Sequence, residues 1–157
     1  MCIRDSYISG DPGDFTYDVT DGTFTDSGVV DITITPVNDD PTLDLNGAAA
    51  GEDLKSFYGV NGGGVSVTGP ATTIADVDST QLSSATVSLT NAMANDSLTA
   101  LTSDPAWPAG ITVDPSSTAP QIILTGAASL ADYQTALQLV EFSNSSSTPN
   151  MLSLIHI

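Results

Sequence analysis

Short stretches of alternating apolar and polar residues, separated by Gly, Pro, Asp and Asn, run along this chain. Phe15, Tyr17 and Val19 alternate with Thr16, Asp18 and Thr20, which predicts a half-buried strand. Asp21-Gly22 follows as a hairpin-turn signal. Val30, Ile32 and Ile34 alternate with Asp31, Thr33 and Thr35 and predict the second strand of a hairpin ending at Pro36. Val37 to Pro41 is a polar link, and Pro41 pushes Asp40 towards an extended conformation.

A second unit begins at Thr42. Its predicted strands lie at Leu43 and Leu45, at Val65 and Val67, and at Ala85, Val87 and Leu89. Others lie at Ile111 and Val113 and at Gln121 to Leu124, with one more around Val140 and Phe142. Gly47 to Gly51 and Gly62 to Gly64 read as loops. One short helix interrupts the series. Ser129-Leu130-Ala131-Asp132 has the form of a capping box, and Leu130, Tyr133, Leu137 and Val140 share one helical face. Trp107, between Pro105 and Pro108, is expected to plug one end of the core. Val87, Leu89, Ile111, Ile122, Leu124, Val140 and Phe142 are expected inside it.

The two ends read differently. Leu152 to Ile157 can be encoded by CTG TCT CTT ATA CAC ATC, and the reverse complement of that string encodes Met1 to Asp5 and opens the codon of Ser6. The shared string resembles the transposon end used as an adapter in sequencing libraries. Residues 1–6 and 152–157 are therefore expected to be adapter scars and are set aside from fold reasoning. Cys2, Arg4 and His156 go with them. What remains, Tyr7 to Met151, has no Cys, no His and one basic residue, Lys55.

Those absences narrow the chemistry. Without Cys there is no disulfide or thiol chemistry, and without His there is no Ser-His-Asp catalysis and little scope for zinc. No pair of carboxylates stands out for glycosidase work. The net charge of −17 argues against nucleic acid and against an acidic membrane surface, both of which select Lys and Arg. No apolar run is long enough to span a bilayer. So many uncompensated acids repel one another, and two remedies are open: bound cations, or a saline medium that screens them. Calcium suits the first, because it takes about six to eight oxygen ligands.

The stretch Phe15 to Pro41, FTYDVTDGTFTDSGVVDITITPVNDDP, resembles the closing part of bacterial cadherin-like and Ig-like tandem repeats. These commonly end in F-x-Y-x-V-x-D-G, a final V-x-I-x-V strand and V-N-D-x-P. The stretches at Thr73 to Asn91, Pro108 to Val113 and Leu124 to Asn150 are similar to recurring segments of giant bacterial surface proteins. The resemblance implies an all-β chain: an antiparallel Ig/cadherin-like β-sandwich preceded by the terminal hairpin of a previous repeat. Residues 7–40 would be that hairpin and its linker, and 41–151 an incomplete second repeat. The family is stiffened by calcium, exported to the cell surface or medium, and used in adhesion. Asn38 and Asp39 match its linker motif, and Asp40 stands where many members are neutral. Asp76-Val77-Asp78 resembles its D-x-D, with both carboxylates on one side of an extended segment. The alternative is that Asn38 to Asp40 are linker residues and Asp76 and Asp78 turn residues. Asp21 reads as a turn residue, and the sequons at Asn95 and Asn144 read as chance.

The expected function is a non-catalytic, calcium-stiffened spacer or adhesion repeat of a large cell-surface or secreted protein. Its partners would be neighbouring repeats and a cell-surface or matrix carbohydrate or protein. The alternatives are an accessory module of a secreted polysaccharide-degrading enzyme, or a carbohydrate-binding module. The last needs an aromatic platform, and Tyr58, Trp107 and Tyr133 are dispersed. Val37 to Pro41 spans about 17 Å when extended, no more than the ~17–20 Å length of one strand. The hairpin is therefore expected to stand apart from the second unit, which keeps an open edge and folds poorly by itself.

Overall fold

The computed structural model describes residues 15–31, 37–51, 53–60, 62–147, 155 and 156. The chain divides into two compact units, Met1–Asp40 and Pro41–Ile157.

In the first unit, β1 (Phe15–Thr20) pairs antiparallel with β2 (Thr25–Val30), from Phe15↔Val30 to Thr20↔Thr25. The connection is Asp21 to Phe24. Asp21 Oδ1 accepts the Thr23 and Phe24 N–H groups, both at 2.8 Å, and Gly22 takes a positive φ of 92°. This tight closure starts the second strand at Thr25, earlier than the Val30–Ile34 alternation predicts. Ile32 and Ile34 lie outside the described residues. Residues facing each other across an antiparallel pair share a face, so Phe15, Val30, Tyr17 and Val19 line one side. All are exposed.

In the second unit β3 (Thr42–Asp44) pairs with β5 (Thr73–Ala75). A three-stranded antiparallel sheet runs β4 (Val65–Ser66), β10 (Val140–Asn144), β7 (Asp96–Ala100). A four-stranded one runs β11 (Ile155–His156), β6 (Gln81–Leu89), β9 (Gln121–Ser129), β8 (Thr112–Val113). The described chain is thus strand-rich, with small antiparallel sheets and one helix. The buried core takes Val87 and Leu89 from β6, Ile122 and Leu124 from β9, Leu98 from β7, and Val140 and Phe142 from β10. Ile111 joins them, so all seven residues expected in the core are buried.

The helix α1 (Leu130–Gln138) begins as its sequence predicts. Ser129 Oγ accepts the Asp132 N–H at 3.1 Å, and Asp132 Oδ2 accepts the Ser129 N–H at 3.3 Å. Tyr133, Ala136 and Leu137 are its buried residues. Val140, assigned to the helix face by periodicity, is instead the first residue of β10. The β6–β9 ladder shifts register between Leu82 and Ser84, where β9 holds one residue more than β6. Gly126 lies in this bulge at φ +133°, and its carbonyl accepts the Tyr133 hydroxyl at 2.7 Å. The bulge therefore bends the strand and gives the buried Tyr133 hydroxyl its partner.

Three strands were not legible as such; one of them, β11, falls in the residues set aside as an adapter scar. β5 is only three residues long. β7 reads DSLTA, and its inward positions are Asp96 and Leu98. A carboxylate at a core position breaks the apolar alternation by which a strand is recognised.

Candidate functional site

The residues singled out for calcium fall in two places. Asn38, Asp39 and Asp40 close the first unit. Asn38 and Asp40 are exposed and Asp39 is half-buried. The Asn38 amide donates to the Asp39 carbonyl at 3.0 Å. Asp76 and Asp78 lie in the second unit, on the connection from β5 to β6.

The Asp76–Asp78 segment is a turn and not the extended stretch expected. Asp76 Oδ1 accepts the Asp78 N–H at 3.1 Å and the Ser79 N–H at 2.8 Å. The Ser79 N–H is the main reason that the Asp76 carboxyl lies below the ordinary aspartate value. The Asp78 backbone and side chain lower it further, against a desolvation effect that raises it. The hydrogen bonds thus favour the charged form of Asp76, two residues from a second carboxylate. One of its oxygens is committed to backbone donors, so a cation there would meet the other oxygen and the Asp78 carboxylate.

The same turn chemistry recurs along the chain. Asp44 Oδ1 accepts the Asn46 and Gly47 N–H groups at 2.9 Å. Asp104 Oδ1 accepts the Ala106 N–H at 2.8 Å. Asp114 Oδ1 takes the Ser116 hydroxyl at 2.6 Å and the Ser116 N–H at 2.8 Å, and both lower its carboxyl, the hydroxyl more. Part of the acid excess therefore builds turns. Among the described residues, no group of three or more His, Cys, Asp and Glu side chains is assembled to hold a metal ion.

A polar cluster that sequence reasoning missed lies between β7 and β10. Asp96 and Asn144 face each other in the ladder and both are buried. The Asn144 amide donates to Asp96 Oδ1 and, at 3.4 Å, to the Ala94 carbonyl. Asp96 Oδ2 accepts the Met93 N–H at 2.8 Å, and Asn144 Oδ1 accepts the Ser146 N–H at 2.7 Å. The Tyr58 hydroxyl donates to the Asn144 carbonyl at 2.8 Å, and the Tyr58 ring meets Phe142 edge-on with centroids 5.4 Å apart. Each polar atom named has a partner, as burial requires. The two sequons were the only sequence sign of this pair. Asn144 is buried with its amide engaged, while Asn95 is an exposed turn residue at φ 71°.

The aromatics considered for sugar stacking are separate. Tyr133 is fully buried. Trp107 is half-buried against the core, and its Nε1–H donates to the Ile111 carbonyl at 2.9 Å. Tyr58 belongs to the Asn144 cluster.

No family model, no curated protein and no solved structure matches this chain.

Proposed function

We propose that this chain is a non-catalytic spacer or adhesion segment of a large cell-surface or secreted protein, a cadherin-like or Ig-like β-sandwich repeat stiffened by calcium. The observation that carries the reading is the Asp76–Asp78 turn, where the Asp78 and Ser79 N–H groups fix the Asp76 carboxylate two residues from a second carboxylate. Calcium would draw on hard oxygen ligands at Asp76 and Asp78 in the second unit and, taken by themselves, at Asn38, Asp39 and Asp40 at the end of the first. It would offset part of the net charge of −17. The strand-rich fold, with core residues contributed by two antiparallel sheets, supports the sandwich. The same charge disfavours nucleic acid as a partner. The partners are then neighbouring repeats of the same chain and a carbohydrate or protein of the cell surface or matrix, outside the cell.

Calcium titration of the full chain tests this. Affinity of ~10⁻⁴–10⁻³ M is expected for an extracellular module. At about 10 mM calcium, linkage then adds roughly 1 to 3 kcal/mol of stability, read as a rise in melting temperature. Asp76→Asn combined with Asp78→Asn should abolish the rise. If the double variant keeps it, these residues are not the ligands; if the parent shows no rise at all, the chain is not calcium-stiffened.

A further inference from the structure

We infer that residues 53–60 are a strap that opens without unfolding the sheets of the second unit, and that its Lys55–Ser56 bond is a site of limited cleavage by a trypsin-like protease. The strap lies on the connection from β3 to β4 and contains no strand or helix. That connection runs from Asp44 to Val65, longer than the ~12–15 residues beyond which an irregular loop is uncommon and commonly functional. The strap is fastened on both sides of Lys55. Before it, the Asn46 amide donates to the Asp53 carbonyl at 2.9 Å, and the Leu54 side chain lies over Gly69. After it, Tyr58 packs against the core. Between these anchors Lys55, Ser56 and Phe57 are exposed, Phe57 at 91%.

Tyr58 is the latch. The Val67 N–H donates to the Val140 carbonyl at 3.0 Å, so Val140 turns its peptide groups towards β4. Alternate residues of a strand do the same, so Phe142 and Asn144 turn theirs that way too. β4 is Val65–Ser66 and reaches only Phe142 and Glu141. The Asn144 carbonyl lies past its end, and the Tyr58 hydroxyl takes the place of a backbone donor there at 2.8 Å. The strap is thus held by a side chain where a ladder would hold it by several backbone bonds, and a segment with few such bonds opens at lower cost than the core. The chemistry of the bond selects the protease. Lys55 and Arg4 are the two Lys or Arg residues of the chain, so a protease whose specificity pocket takes a basic side chain has one such site beyond the first few residues. Water adds to the Lys55 carbonyl carbon as the C–N bond to Ser56 breaks, leaving a carboxylate on Lys55 and an amine on Ser56. The piece ending at Lys55 stays anchored by the β3–β5 ladder and by the Thr72 hydroxyl, which donates to the Leu45 carbonyl at 3.2 Å.

Trypsin added to the full chain under native conditions, with the products followed by mass spectrometry, tests the inference. A cut between Lys55 and Ser56 is expected, and the two pieces should elute together in size exclusion. Where opening is fast, the cleavage rate follows the population of the open form. Tyr58→Phe deletes the hydroxyl and keeps the ring, so it should speed the cut about two- to tenfold. Ser129→Ala weakens the helix cap, far from the strap in sequence, and lowers the stability of the unit as a whole. It should leave the rate unchanged to within about twofold, because a strap that opens by itself does not draw on global stability. Circular dichroism checks that both variants are folded. If Ser129→Ala speeds the cut as much as Tyr58→Phe, Lys55 is reached through global unfolding and the inference is overturned. It is equally overturned by a chain that resists cleavage at Lys55, by a Tyr58→Phe rate equal to the parent's, or by pieces that separate.

Discussion

At the residue scale, aspartate does two jobs in this protein that the sequence does not separate. At Asp21, Asp44, Asp76, Asp104 and Asp114 the carboxylate caps a turn. At Asp96 it is buried and answered by an amide. The turn carboxylates have a consequence for pH. Asp21, Asp76 and Asp114 are all lowered by hydrogen bonds made in the fold. The unfolded chain therefore takes up protons first as pH falls. Their stabilisation is present above the ordinary aspartate range and is lost below about pH 4. Melting temperature measured from pH 6 down to pH 2 should fall through that window, and Asp114→Asn should flatten the fall. Burial alone raises the Tyr133 hydroxyl, so its contribution runs the other way and is lost only above about pH 10. At the Asp96–Asn144 pair, Asn144→Ala strands a buried carboxylate oxygen without its amide. A loss of about 1 to 3 kcal/mol in chemical denaturation is expected.

At the scale of elements, the helix and its bulge form one unit. Ser129→Ala removes the acceptor for the Asp132 N–H and should cost about 1 kcal/mol. Gly126→Ala is the harsher change. The residue lies at φ +133°, and an added Cβ would run into the Gly110 carbonyl oxygen. The bulge would have to open, taking with it the acceptor of the Tyr133 hydroxyl. Thermal unfolding should show a larger loss for Gly126→Ala than for Ser129→Ala; the reverse order would mean that the bulge adapts freely. Helix and bulge also differ in how they could be read. A capping box is four contiguous residues and needs no tertiary partner. The bulge exists because β6 and β9 pair with unequal residue numbers, which no local pattern encodes. The hairpin is intermediate. Asp21-Gly22 marks its turn, but the start of β2 at Thr25 depends on how tightly that turn closes.

At the scale of the whole molecule, charge sets the terms. A net −17 with few cations leaves self-repulsion to be relieved by counter-ions. Added monovalent salt should raise the melting temperature of the full chain even in chelator. An additional rise specific to calcium is the part attributable to a site. Among the described residues no helix is long and apolar enough to cross a membrane.

The sequence by itself determined the strand-rich class, the capped helix and the seven core residues. Each is written in contiguous residues or in a period of two, where burial follows directly from which side chains avoid water. It also marked Asp76 and Asp78, because carboxylates two apart are visible as text. Only the tertiary structure decided that this segment bends and commits an Asp76 oxygen to its own backbone. Only the structure brought Asp96 to Asn144 across a ladder, since strand pairing depends on which segments meet and not on either segment alone. A strand's text shows which side chains face the core, but whether its backbone has a neighbour on both sides is settled only when the sheet is assembled.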